Sequence, residues 1–173
     1  MELDQHQSKI IAAIDAASEE IISVSRQIHD HPELGREEVF ASGLLADTIA
    51  AHGFQVERGT AGIPTAFRAR KGNPDGPRVA FLAEYDALPE IGHGCGHNVI
   101  ASSALAAAIG LGSVIEELGG EVQLVGTPAE ETFGAKVEMT EKGVFDEVDA
   151  AMMVHPYHDN FTAAETLAID GYR

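Results

Sequence analysis

Ile10, Ile11, Ile14, Ile21, Ile22, Val24 and Ile28 recur among polar residues at helical spacing, which predicts an amphipathic helix over 5–29. Pro32 disfavours helix at the residue before it and ends that run. A second helix is predicted over 36–52, with Val39, Leu44, Leu45 and Ile49 on one side and Gly53 as its stop. Short strands follow at 54–57 and 65–70, the latter alternating as a half-exposed strand does, and a Gly- and Pro-dense turn covers 71–77. The run 79–83 is apolar without alternation, the pattern of a strand buried on both faces. Asn98 is placed to cap a helix over 98–118, whose alanines at 101, 104, 106, 107 and 108 suit close packing on a sheet. A strand at 122–126, a helix at 134–142 and an apolar strand at 150–154 complete the pattern. The strand–helix–strand order from residue 79 onward predicts an α/β fold with a largely parallel sheet flanked by helices. Residues 1–173 read as one domain, or as part of a larger protein.

Composition narrows the partners. The hydrophobic share of 45% is that of a globular chain able to bury a core. Twenty-eight acidic against eleven basic residues give a net charge of −17, which argues against nucleic acid and anionic membrane. One cysteine excludes an internal disulfide. Residues 1–20 lack the basic start and apolar run of a secretion signal, and no window is apolar enough to span a membrane. The expectation is a soluble, cytoplasmic protein.

The chemistry gathers where the apolar strands end. Gly92-His93-Gly94-Cys95-Gly96-His97-Asn98 places a thiol and an imidazole two residues apart on backbone that bends freely, a pairing suited to a soft divalent metal such as zinc. Alone it reads equally well as a glycine-rich turn with a buried cysteine and surface histidines. Three apolar strands, however, run into Glu84 and Asp86, into Glu130 and Glu131, and into His155. In open α/β sheets ligands bind at the carboxyl ends of parallel strands, so these side chains and the Cys95/His97 loop are expected at one edge. More donors than one zinc needs point to a two-metal site. One of the adjacent glutamates can hold metal while the other takes a proton from water. Asp86 lies two residues after Glu84, on the same face of an extended strand, where a carboxylate can orient a ligating imidazole. A rival role for Cys95 is a nucleophile activated by His97, but that leaves the glutamate pair unexplained. The triplet His29-Asp30-His31 reads as a solvated helix end.

Taken together, HDHPELGREE at 29–38, FLAEYDALPEIGHGCGHN at 81–98, GTPAEETFGAK at 126–136 and MMVHP at 152–156 resemble the M20 family of dinuclear zinc peptidases and amidohydrolases. The resemblance is greatest to its aminobenzoyl-glutamate hydrolase and dipeptidase members. It implies Cys95, His97, Glu131 and His155 as metal ligands, Glu130 as general base and Asp86 as support of the metal site. It further implies two Zn2+ ions per complete site, with Mn2+ or Co2+ as alternatives, and hydrolysis of amide bonds in N-acyl amino acids or small dipeptides. Full-length members are expected to be homodimers. Glu84 stands where other branches carry a metal-binding histidine, and Asn98 where much of this branch has Asp. Members also carry an inserted lid domain, further strands and a last metal histidine. By this resemblance the lid would begin near 167–173, and the chain is the N-terminal part of a zinc-peptidase-like catalytic domain. The alternative is a catalytically incomplete metal-binding fragment or interaction module.

Overall fold

The computed structural model describes residues 4–157. The segment 167–173, where the resemblance would start a lid, lies outside the described residues. A five-stranded sheet forms the middle layer, in the order β1-β2-β4-β3-β5. Its strands are β1 (Gln55–Arg58), β2 (Phe67–Gly72), β3 (Arg78–Ala83), β4 (Glu121–Gly126) and β5 (Ala150–Met152). β3 runs parallel to β4 and to β5, as the alternation from residue 79 predicts. β1 and β2 join antiparallel to each other, and β2 antiparallel to β4, so the whole sheet is mixed.

Helices cover both faces. On one side lie α1 (Gln5–Ala16), α2 (Ser18–Asp30), α3 (Val39–Ala51) and α4 (His97–Gly112). Their Ile21, Val24, Ile28, Leu45, Ile49 and Leu105 pack with Phe67, Val122 and Leu124 of the sheet in the larger core. After the short α5 (Ile115–Leu118) and β4 comes α6 (Ala135–Glu141). Its Ala135 and Met139 pack with Ala80 and Val125 in a second core on the opposite face. Successive β3 and β4 side chains thus divide between two cores, which is why 79–83 reads as apolar without alternation. The central β4 is buried along its whole length.

Several boundaries differ from the pattern, and the helix predicted over 98–118 is broken at 113–114 into α4 and α5. The first helix is interrupted at Ala17, whose ψ of 2° leaves the helical region. Each half can then follow α4 separately: Ile10 and Ile14 of α1 lie against Gly110. The helix predicted to be capped by Asn98 begins instead at His97, with Gly96 in the left-handed region at its cap. The Asn98 side chain donates to the Ser25 hydroxyl at 3.1 Å and ties α4 to α2. β5 is exposed along its three residues despite its apolar sequence, because it is the edge strand and pairs, among the described residues, only with β3. No described helix is long and apolar enough to cross a membrane.

β4 lies on one side of β3 and β5 on the other, so the chain changes direction across the sheet at β3. A crevice opens at such a switch point, outside the carboxyl ends of the parallel strands. The acidic loops lie there.

Candidate metal centre

Three loops leave the carboxyl ends of β3, β4 and β5 and meet around one imidazole. His97 opens α4 and is 1% exposed. Gly96 before it has φ +78°, and a Cβ there would fall 2.9 Å from Pro156 Cγ. Glycine therefore lets the Cys95–His97 loop close against the His155 segment. This is a steric requirement that the sequence expresses only as a glycine-rich run.

Asp86 anchors the arrangement. Its Oδ1 lies 3.1 Å from His97 Nδ1, and its Oδ2 accepts the Glu131 backbone N–H at 2.9 Å. A carboxylate accepts, so His97 Nδ1 carries a proton, and in the neutral imidazole Nε2 presents its lone pair. Burial alone would raise the Asp86 carboxyl, but the His97 and Glu131 hydrogen bonds outweigh it and hold the group below the ordinary value. Burial would likewise lower the His97 imidazole. The Asp86 bond, followed by the Glu84 and Glu131 charges, overcomes burial and raises it.

His97 Nε2 is buried without a hydrogen-bond partner among the described residues, as is Glu84 Oε2. Three carboxylate oxygens nevertheless face that nitrogen: Glu84 Oε2 at 3.6 Å, Glu131 Oε1 at 3.6 Å and Glu130 Oε2 at 3.9 Å. These separations are too long for hydrogen bonds. Orphaned polar atoms of one sign, facing each other across such a gap, suit an interposed cation. Two ligand trios share His97. Cys95, His97 and Glu131 form one, Glu84, His97 and His155 the other, with ligand atoms within 4.8 Å of one another in each. Sulfur, nitrogen and oxygen donors in these numbers fit a divalent transition metal.

The thiol answers to the same field. A hydrogen bond to Glu131, then burial, then the Glu131, Glu130 and Asp86 charges push Cys95 up to about 11. Among carboxylates the thiol stays protonated, which suits a ligand that ionises beside a cation and does not suit a free nucleophile. Burial and the Glu84 charge raise the Glu130 carboxyl, against the pull of Lys136. Glu130 has a side chain 40% exposed and faces the solvent side of the cluster.

The structure therefore brings Asp86, Cys95, His97, Glu130 and Glu131 together. His155 reaches the cluster from the exposed side, its ring edge-on to His97 with centroids 6.2 Å apart. It meets Glu84, not Cys95 or Glu131, within ligand range. Lys136 is the residue that sequence reasoning missed. From the first turn of α6 its ammonium pairs with buried Glu84 and places one cation beside the acids. A lysine early in a helix reads as solvent-facing, and its only sequence signal is its place in GAK, directly after the Glu130-Glu131 stretch. His29 and His31 are exposed, as a solvated helix end requires.

No family model matches the chain. It is 41% identical to the Xaa-Arg dipeptidase of Mus musculus over 177 aligned positions, covering 92% of this chain and 40% of that protein. To a p-aminobenzoyl-glutamate hydrolase component of Escherichia coli it is 39% identical over 163 positions, covering 83% and 34%. Among solved structures it is similar to a dinuclear metal binding peptidase of the M20 family from Bacillus subtilis, with TM-score 0.70 and 28% identity over 79% of this chain and 42% of the other. The chain thus spans between about a third and two fifths of the length of these relatives.

Proposed function

The chain belongs to the M20 family of peptidases and amidohydrolases, and on that premise we propose that it carries the water-activating part of a metal-dependent hydrolase. Its substrates are amide bonds in small dipeptides or N-acyl amino acids. The observation that carries this reading is the buried, unpartnered His97 Nε2 facing three carboxylates, with the Cys95 thiol beside them.

In this reading Cys95, His97, Glu131 and His155 hold zinc, with manganese or cobalt as substitutes, and Glu84 shares the His155 side. Bound there, the metal supplies Lewis acidity toward the amide carbonyl and lowers the pKa of water. Asp86 keeps the His97 proton on Nδ1 and so keeps Nε2 available. Glu130 takes the proton of the attacking water and returns it to the leaving amine nitrogen. Burial and the Glu84 charge raise its pKa, the direction that suits a group which must both take up and release a proton. Lys136 neutralises part of Glu84 and limits the repulsion among the acids.

The substrate class follows the activities of the relatives, a dipeptidase that takes Xaa-Arg and a hydrolase of p-aminobenzoyl-glutamate. The test is release of free amino acid from an Xaa-Arg dipeptide and from an N-acyl amino acid by the zinc-loaded chain, beside Glu130→Gln. Turnover that disappears in the variant supports the reading. Turnover unchanged by Glu130→Gln removes Glu130 from the role of base. A second reading is a metal-binding module without turnover. Metal uptake with no hydrolysis by the wild type would select it.

A further inference from the structure

The connector between α2 and α3, residues 31–38, takes no part in the chemistry above, yet it touches both acidic loops. The Glu33 carbonyl accepts the Ala87 N–H at 2.8 Å, next to Asp86. Gly35 lies so close to the loop after β4 that a Cβ would sit 3.0 Å from Ala129 Cα. Glu38 is fully buried, and its Oε1 accepts the Ala129 N–H at 2.7 Å. The Glu33 carboxylate meanwhile accepts the N–H groups of Phe40 and Ala41, both at 2.9 Å, which fixes where α3 begins and hence where Glu38 stands.

Ala129 is the residue directly before the glutamate pair, and its φ is +57°. A side chain in that left-handed region is strained, so the surroundings must hold it there. Glu38 is the buried side chain that grips it. The other Glu38 oxygen has no close hydrogen-bond partner among the described residues, although the Thr65 hydroxyl and the Arg36 and Glu38 N–H groups act on the carboxyl. A core-filling role alone would be better served by an apolar side chain of the same size. On the far side of the pair, Asp86 Oδ2 holds the Glu131 N–H.

We propose that Glu38 is a positioning residue: its bond to the Ala129 N–H holds the left-handed turn that aims Glu130 and Glu131 at His97. This rests on the reading of Glu131 as a ligand and Glu130 as the base. The glutamate pair then sits between two buried carboxylates, one on the amide before it and one on its second amide.

The test compares wild type, Glu38→Gln and Glu38→Met. Gln keeps an oxygen for the Ala129 N–H, whereas Met fills the same space and offers none. Zinc affinity of the purified chain is read beside hydrogen exchange of the Ala129 amide without metal. The expected result is wild-type affinity and Ala129 protection in Gln. In Met, affinity should fall about 10- to 100-fold and Ala129 exchange should quicken. Zinc affinity and Ala129 protection in Met equal to wild type would overturn the proposal. Should Met fail to fold, fast Ala129 exchange in the wild type overturns it, and slow exchange kept in Gln supports it. A wild type that takes up no zinc retires the metal reading, and the Ala129 comparison then decides the grip by itself.

Discussion

Asp86→Asn changes one atom at the point where the site is tied together. The wild-type carboxylate is 1% exposed and serves two donors, His97 Nδ1 at 3.1 Å and the Glu131 N–H at 2.9 Å. Asparagine has nearly the same shape but a single acceptor oxygen. With that oxygen on Glu131, its NH2 faces His97 Nδ1 and drives the imidazole proton to Nε2, where it blocks a ligand position. With the oxygen on His97, the Glu131 N–H is left buried against another donor. The first orientation keeps its hydrogen bonds but closes Nε2 to metal, and the second leaves the buried Glu131 N–H unsatisfied, at a cost of about 1–3 kcal/mol. For a chain of this size that is a melting temperature lower by about 2–4 °C per kcal/mol. Loss of such an outer partner weakens metal binding about 10- to 100-fold, or about 1.4–2.8 kcal/mol. Competition for zinc against a chromophoric chelator gives the affinity, and thermal unfolding of the metal-free chain gives the stability. An Asp86→Asn chain that binds zinc as the wild type does and melts at the same temperature would refute the reasoning.

Two further predictions concern the scaffold around the cluster. Gly35→Ala places a methyl against Thr132 Oγ1 and 3.0 Å from Ala129 Cα, so it should destabilise by about 1–3 kcal/mol. Gly43→Ala, inside α3 with nothing within 4 Å of the new Cβ, should stabilise by about 0.5–1 kcal/mol; shifts of one sign in both melts would contradict the packing described. Burial pushes the Glu38 carboxyl above its ordinary value, against hydrogen bonds from its own and the Ala129 N–H. The folded chain therefore holds that proton more tightly than the unfolded chain, and Glu38 costs stability as pH rises from about 4.3 through the raised value. Glu38→Gln should gain on wild type in melting temperature between pH 4 and pH 7, and a gap that stays constant would count against it.

Much of this arrangement is legible in the sequence because it is local. The run 79–83 is apolar on both faces, 122–126 is largely apolar, and each is followed within a few residues by its acids, so the parallel half of the sheet and its reactive edge can be read together. Glu84 and Asp86, two residues apart, both turn inward to His97. What the sequence hides depends on contacts between distant segments. The antiparallel partners of β2 are set by register across the sheet, and nothing in 65–70 declares a direction. Met152, Met153 and Val154 belong to an apolar run yet are exposed at and beyond the edge strand, since an apolar run carries no sign of its place in a sheet. Glu38 has the look of a solvated acid at a helix start, yet it is fully buried because Ala129, 91 residues away, brings it a donor. Lys136 is hidden for the same reason, 52 residues from the Glu84 it neutralises.

The central claim is that the loops after β3, β4 and β5 form a metal centre around His97. Metal content by elemental analysis of the purified chain, wild type beside Cys95→Ser, tests it most directly. At least one tightly held divalent ion per wild-type chain is expected, with less retained in the serine variant because the thiolate is lost from its trio. A folded wild-type chain that binds no divalent metal, or a serine variant that retains it in full, would contradict that account.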